Sequence, residues 1–317
     1  MQRALEGLGK YQRAERRSPP PLMPPIAERR GATLRDYGGE GPTVLFVPSL
    51  INPPTILDLS EERSLLRWLT GRGRRVLLLD WGWPGDDRKS LSVSGHVEKI
   101  LLPILEALPE PSDLIGYCLG GTMAAAAAQL GKVRSLALLA TPWRFAGFSP
   151  GARAQLATLW RDARPVTKAL GLLPMEVLQS AFWHLDPART VAKYEAFATM
   201  KGEQACSFVA LEDWANDGPP LTRAAARELF EDFFAADLPG SGAWRVAGEV
   251  IDPKTLPVPV LDIVSTTDRI VPHHSAMRAD ERLELDLGHV GMVVGSRAKQ
   301  ALWEPLADWL SRSAAKC

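Results

Sequence analysis

From residue 43 onward, short aliphatic runs alternate with segments of helical length, and this rhythm predicts the architecture before any single residue is considered. Thr43 to Val47, Arg75 to Leu79, Asp113 to Tyr117, Ser135 to Leu139 and Val258 to Val264 are apolar with little in-and-out alternation, as strands covered on both faces should be. Helical stretches at Glu61 to Thr70, Gly95 to Leu108 and Leu119 to Leu130 fall between them, which predicts an α/β fold with a doubly wound, mostly parallel sheet. A further strand near Arg282 to Leu285 and a helix from about Arg297 to Ser313 continue the pattern. Between Pro142 and about Val250 the alternation stops, and helix-spaced apolar and aromatic residues take over, among them Trp160, Phe182, Trp183, Phe197, Phe208, Trp214, Phe230, Phe233 and Phe234. Each aromatic alone is explained by a core within this segment; together they predict an apolar roof over the strand ends. The expected organisation is a core of residues 31–142 and 251–317 interrupted by a helical cap at 143–250.

Ahead of the core, Leu5, Leu8 and Tyr11 stand at helical spacing among Arg3, Lys10, Arg13, Arg16 and Arg17. Residues 1–30 therefore read as a short basic arm followed by the extended connector Pro19 to Pro25. The arm is either a frayed polar terminus or a helix that docks on a partner or an apolar surface.

Charge and cysteine content narrow the classes. The 37 basic and 37 acidic side chains cancel, so nothing points to nucleic acid as a partner. The three cysteines, Cys118, Cys206 and Cys317, have neither paired nor metal-ligand spacing, which predicts reduced thiols, no metal site and no disulfide framework. With no signal-peptide core and no apolar run of bilayer length, a cytoplasmic protein without a membrane span is expected.

The strand at Asp113 to Tyr117 runs into Gly116-Tyr-Cys-Leu-Gly-Gly121 and then a small-residue helix, the pattern of a nucleophile elbow with cysteine as the nucleophile. Gly116 and Gly120 are required there, because side chains would collide with the backbone around the turn. Such a nucleophile needs a histidine base and an orienting carboxylate, in the order nucleophile, acid, histidine. Asp268 follows the late strand ending at Ser265, and His289 follows the last apolar stretch, so both fall in loops at the sheet edge that carries Cys118. His273 and His274 are too close to Asp268, His96 begins a helix and His184 lies in the insertion; all four read as structural or surface residues. Asp262 lies inside a strand, and Asp286 is too near His289 to support it separately. The backbone amides of Leu119 and Leu50 are the candidate oxyanion donors, although the loop from Val47 to Pro54 could also be an ordinary crossing loop. Asn52 and Tyr117 are the candidate substrate-binding residues.

Val47-Pro-Ser-Leu-Ile-Asn52, Ile56-Leu-Asp-Leu59, Leu79-Asp-Trp-Gly-Trp-Pro84, Ile115 to Gly121, Leu139 to Pro142, Asp268 to Pro272 and Gly288 to Val294 resemble the polyhydroxyalkanoate synthases. The likeness extends from about residue 40 to the C-terminus, and is greatest to the short synthases that act with a second subunit, on account of Glu212-Asp-Trp214 and Pro219. It implies an α/β-hydrolase fold and an acyltransferase that polymerises (R)-3-hydroxyacyl-CoA. It also implies an acyl group carried on Cys118, His289 as base and Asp268 as its partner. The CoA thioester is then a substrate and no cofactor is needed. The polyester chain, a second synthase subunit or homodimer, and the surface of a polyester granule are the implied partners. Independently of the resemblance, an acyl group on sulfur stays activated for transfer, whereas one on a serine oxygen would not. A cysteine hydrolase on the same scaffold, a thioesterase or polyester depolymerase, would use the same residues, and a non-catalytic granule-binding protein would use the arm and the apolar insertion instead.

Overall fold

The computed structural model describes residues 2–185, 187–279 and 281–314. Eight strands form one sheet: β1 (Pro25–Arg29), β2 (Ala32–Asp36), β3 (Thr43–Val47), β4 (Arg75–Asp80), β5 (Ser112–Tyr117), β6 (Val133–Leu139), β7 (Val260–Ser265) and β8 (Glu281–Leu285). Their spatial order is β1-β2-β4-β3-β5-β6-β7-β8, antiparallel at the β1-β2-β4 end and parallel from β4 to β8. Side chains of the inner strands are buried on both faces, which is why their sequences lack alternation. Leu45, Leu77, Leu114 and Leu136 face one apolar cluster, while Val44, Val76, Ile115 and Ala137 face the other.

Helix α1 (Gln2–Arg13) precedes the sheet, and α2 (Leu65–Thr70), α3 (93–107) and α4 (Leu119–Leu130) fill its crossovers. All ten residues from Leu119 to Ala128 are buried, because their small side chains let α4 lie close to the sheet. Helices α5 (Pro150–Leu170), α6 (Met175–Leu185), α7 (Pro187–Phe197), α8 (Gly202–Ala215) and α9 (223–235) follow β6, and α10 (299–314) closes the chain. The first apolar cluster runs without a break from the sheet into α5 and α9, through Phe145, Trp160, Phe230, Phe233 and Trp244. Trp160 stacks on Phe230 with ring centroids 5.3 Å apart, and Phe197 stacks on Phe208 at 4.2 Å.

Four expectations change. Helix α2 starts at Leu65 and not near Glu61, because residues 58–64 form a small antiparallel hairpin and Ser64 caps the helix by accepting from the Arg67 amide at 3.0 Å. Its anchor is the carboxylate of Asp58, which accepts from Tyr37 Oη at 3.0 Å and Arg67 Nε at 2.8 Å. Strands β1 and β2 follow the connector directly; they lack a continuous apolar run because β1 is an exposed edge and β2 is only partly buried. Strand β7 begins at Val260 and not at Val258, since Pro257 and Pro259 have no amide hydrogen to pair. Finally, the basic arm neither frays nor stands free: α1 packs on α7 through Ala4 and Gly7, while Leu5 points outward, 62 % exposed. A Cβ on Gly7 would lie 1.8 Å from the Tyr194 carbonyl oxygen, so the helices meet backbone to backbone. The side chains of Phe182 and His184, and Cys317 altogether, lie outside the described residues.

Candidate active site

The turn after β5 has the geometry its glycines predict. Cys118 sits at φ 55°, ψ −130°, a strained position for a residue with a Cβ. It is held by its own amide donating to Leu139 O and by Gly121 N donating to Cys118 O, both at 2.9 Å. A Cβ at Gly116 would lie 2.3 Å from Gly121 Cα, and one at Gly120 would lie 2.1 Å from Val47 O. Gly121 is equally constrained, by Thr141 Oγ1 at 1.8 Å from such a Cβ. The turn therefore presses the start of α4 against β3 and the loop after it, leaving the thiol half-buried at the sheet edge.

Asp268 follows β7, and both of its carboxylate oxygens accept hydrogen bonds. Its Oδ1 accepts from the amides of Ile270 at 2.8 Å and Val271 at 3.0 Å, and its Oδ2 accepts from His289 Nδ1 at 2.6 Å. With Nδ1–H donated there, Nε2 is the nitrogen left for another partner. His289 is 7 % exposed. Burial alone would push its imidazole down, but the charges of Asp268 and Cys118 and hydrogen bonds to both outweigh this and raise it to about 10. The loop is pinned again where Ser265 Oγ donates to Leu287 O.

Of the other predicted residues, Leu119 opens α4, so its amide belongs to the helix N–H groups without an intrahelical acceptor. The Leu50 side chain packs into the core and the cavity is bounded instead by Ser49, Ile51 and Asn52. Asn52 reaches the cavity at φ 63°, but its Nδ2 donates to Asp217 O at 3.1 Å and Ala215 O at 3.3 Å, which ties this loop to the end of α8. Tyr117 also borders the cavity, and its hydroxyl donates to His289 O at 3.2 Å.

The histidines excluded from the site behave differently. His96 is buried, with Nδ1 2.7 Å from Ser92 O, and burial pulls it down to about 4. His274 is an exposed loop residue, as expected, and it stands at the cavity rim. Asp262 accepts from the Arg278 amide inside the sheet, and Asp286 pairs with Arg297 on the surface.

A cavity of about 900 Å³ opens above Cys118, His289 and Asp268. Its roof includes Trp183, Trp214, Phe230 and Phe234, with Gln179, Lys193 and Asn216 as polar members. These three carry no sequence signal, since a single polar residue in a helical insertion looks like any solvated position. Trp214, inside the quoted Glu212-Asp-Trp214 block, donates Nε1 to Pro53 O at 2.8 Å. The other quoted blocks support the floor: Trp81 Nε1 donates to Pro48 O at 2.9 Å, and Arg35 pairs with Asp80 at 2.9 Å. Among the described residues no group of three or more His, Cys, Asp or Glu is placed to hold a metal ion, and no helix is long and apolar enough to cross a membrane.

Residues 44–304 match the model of an alpha/beta hydrolase family. The chain is 30 % identical to the poly(3-hydroxyalkanoate) polymerase subunit PhaC of Haloferax mediterranei over 84 % of its own length and 58 % of the relative's. It is 28 % identical to that of Haloarcula marismortui, over 90 % of the chain and 64 % of the relative, and 27 % identical to that of Thiocystis violacea, over 84 % and 80 %. The chain thus spans only about three fifths of the two haloarchaeal subunits. Among solved structures, a monoacylglycerol lipase of Paleococcus ferrophilus superposes with a TM-score of 0.53 at 18 % identity, covering 88 % of this chain and 99 % of its own. A carboxylesterase of Nitrososphaera gargenis gives 0.53 at 16 % identity over 94 % and 100 %.

Proposed function

The chain belongs to the alpha/beta hydrolase family, and we propose that within it this protein is an acyltransferase of the polyhydroxyalkanoate-synthase kind. It would take (R)-3-hydroxyacyl groups from CoA thioesters onto Cys118 and pass them to the hydroxyl of a growing polyester. The observation that carries this reading is a thiol at the strained elbow, beneath an apolar roof and beside a histidine whose Nδ1 is bonded to a buried carboxylate. The similarity to named polymerase subunits supports the same reaction.

In the first half-reaction, Cys118 gives its proton to His289 Nε2, and Sγ attacks the thioester carbonyl. The carbonyl oxygen takes up the negative charge of the tetrahedral intermediate, facing the amides of Leu119 and Leu50. Pro48 has no N–H and that of Ile51 donates to Ser49 Oγ at 3.0 Å, which favours Leu50 as the second donor. Collapse breaks the carbon–sulfur bond to CoA, and His289 returns the proton to the departing CoA sulfur. One thioester has replaced another at little cost in free energy. In the second half-reaction the hydroxyl of an acceptor loses its proton to His289, its oxygen attacks the acyl carbon, and Cys118 leaves and is reprotonated. Asp268 keeps the imidazole in one tautomer and stabilises its charge throughout. The cap serves to keep water, the competing nucleophile, from the acyl-enzyme. Asn52 lies where the substrate would pass, although its amide is engaged with the cap.

The relatives' designation as polymerase subunits supports a second subunit as partner, and a substrate of this kind goes with a place in the cytoplasm at the surface of polyester granules. The test is incubation with (R)-3-hydroxyacyl-CoA of several chain lengths, with and without a second subunit, measuring free CoA, soluble hydroxy acid and polymer together. CoA release with polymer, and an acyl adduct on Cys118 by mass spectrometry, are expected. Soluble acid as the only product under every condition would make the protein a hydrolase instead.

A further inference from the structure

Tyr117 is the residue immediately before the elbow, and its polar end is committed to the base. Its ring stacks on that of His289, with centroids 5.1 Å apart and planes 29° from parallel, while its hydroxyl donates to the His289 carbonyl at 3.2 Å. The side chain is 3 % exposed.

The other ties on the His289 loop leave something undone. Asp268 fixes Nδ1, and Ser265 fixes the carbonyl two residues earlier, but both come from the β7 side of the sheet. Neither relates His289 to β5, where Cys118 begins its turn, with β6 and β7 lying between β5 and the strand that leads into the histidine loop. Tyr117 makes that link directly, since it is covalently joined to the nucleophile and touches the base twice. We propose that Tyr117 is the positioning residue that holds the His289 imidazole at Cys118, by stacking on the ring and by hydrogen-bonding the backbone that carries it.

This rests on reading Cys118, His289 and Asp268 as a triad. Burial, joined by the charges of Cys118 and Asp268, holds the Tyr117 phenol far above its ordinary range, so the hydroxyl stays a donor wherever the enzyme works. Cys118 and Asp268 are also the two titratable groups that act on His289. An aromatic face about 5 Å from the imidazole further favours the imidazolium form that results when the thiol gives up its proton.

The experiment is alkylation of Cys118 by iodoacetamide from about pH 5 to about pH 9, where the thiolate is the reacting form. The Cys118 peptide is quantified by mass spectrometry so that the other cysteines do not contribute. Tyr117→Phe keeps the stacking ring and loses the hydroxyl; Tyr117→Leu loses both. At about pH 7 we expect alkylation roughly threefold slower in the first and roughly tenfold slower in the second, the size of one and two modest contacts. Both rate–pH curves should move toward that of His289→Ala, with the melting temperature of Tyr117→Phe lowered by only about 3 °C, the size expected for one buried hydrogen bond. A Tyr117→Phe curve that superimposes on the parent's overturns the proposal. Iodoacetamide needs no acyl substrate, so the result is independent of the polyester assay. Unimpaired alkylation in His289→Ala would instead remove the triad on which the proposal stands.

Discussion

The floor of the cavity hangs from the ends of parallel strands β5 and β7 and from the loop after β8, where neighbouring backbones leave no freedom around Cys118. Its roof, the helices from Pro150 to Ala235, is tied to that floor by separate polar contacts. Asn52 reaches the carbonyls at the end of α8, Trp214 reaches Pro53, and Glu228 of α9 accepts from Ser94 N at 2.9 Å and Trp244 Nε1 at 3.0 Å. The arm adds a further tie on the outside, where Lys10 Nζ donates to Phe197 O at 3.0 Å and Tyr11 Oη to Asp213 Oδ1 at 2.6 Å. Damage to the floor should therefore be large and indivisible, while the roof should loosen one contact at a time. A rigid reaction centre under a separately fastened cover is what an enzyme needs if it must admit a substrate and still keep water from an acyl intermediate.

The largest effect should come from Gly120→Ala. Its methyl group would lie 2.1 Å from Val47 O and 2.4 Å from Pro48 O, both backbone atoms of the floor. A loss of about 3 kcal/mol in denaturant unfolding is expected, with little Cys118 alkylation in whatever folds. A variant of parental stability would show that the floor can give way.

His96, on the helix to which Glu228 is tied, comes next. Its folded value of about 4 lies below the ordinary 6.5, so protonation favours the unfolded chain. Its stability contribution is complete above about pH 6.5 and is lost as pH falls toward 4, by at most about 3 kcal/mol. Melting temperature followed across that range should fall more steeply in the parent than in His96→Phe, and equal slopes would contradict the assignment. His289 shows how far a partner changes the outcome: it too is buried, but the carboxylate and the thiol beside it reverse the direction.

Trp214→Phe removes one roof tie and should cost about 1 kcal/mol. If the floor is independent of the roof, Cys118 alkylation should be unaltered while the ratio of soluble hydroxy acid to polymer rises. A fall in alkylation equal to the fall in polymer would mean that the roof helps to build the floor. The smallest change should be Lys10→Met, worth about 0.5 kcal/mol, since it removes one donor from the carbonyls at the C-terminus of α7. Faster amide exchange confined to α1 and α7 is its expected signature.

Some of this could be read from residue order alone. The inner strands were visible because burial on both faces leaves an unbroken aliphatic run, and Leu119–Leu130 because its small side chains follow the elbow. Cys118, Asp268 and His289 stood out because each follows a readable strand, and the fold brings the strand ends together. Strands β1 and β2 do not stand out, since β1 is an exposed edge and β2 buries only part of its side chains, so neither needs an apolar run, and the hairpin at 58–64 is hidden by its proximity to α2. The arm reads equally as a frayed terminus or a docking helix and gives no sign of a clamp, because Ala4 and Gly7, the residues it buries, look unremarkable beside Leu5 and Leu8. Tyr117, a candidate substrate-binding residue, does border the cavity, but its contact with the base is not legible in residue order, because only the fold brings the two rings together.

Sequence by itself therefore determined the inner parallel strands, the strained elbow and the thiol at its tip, because these depend on local backbone geometry and on which residues must be buried. The tertiary structure decided which side chains meet across the strands, which nitrogen of His289 is left for the thiol, and how the roof is fastened. Those depend on contacts between segments far apart in the chain, 172 residues for Tyr117 and His289 and 202 for Tyr11 and Asp213, and no local pattern encodes them.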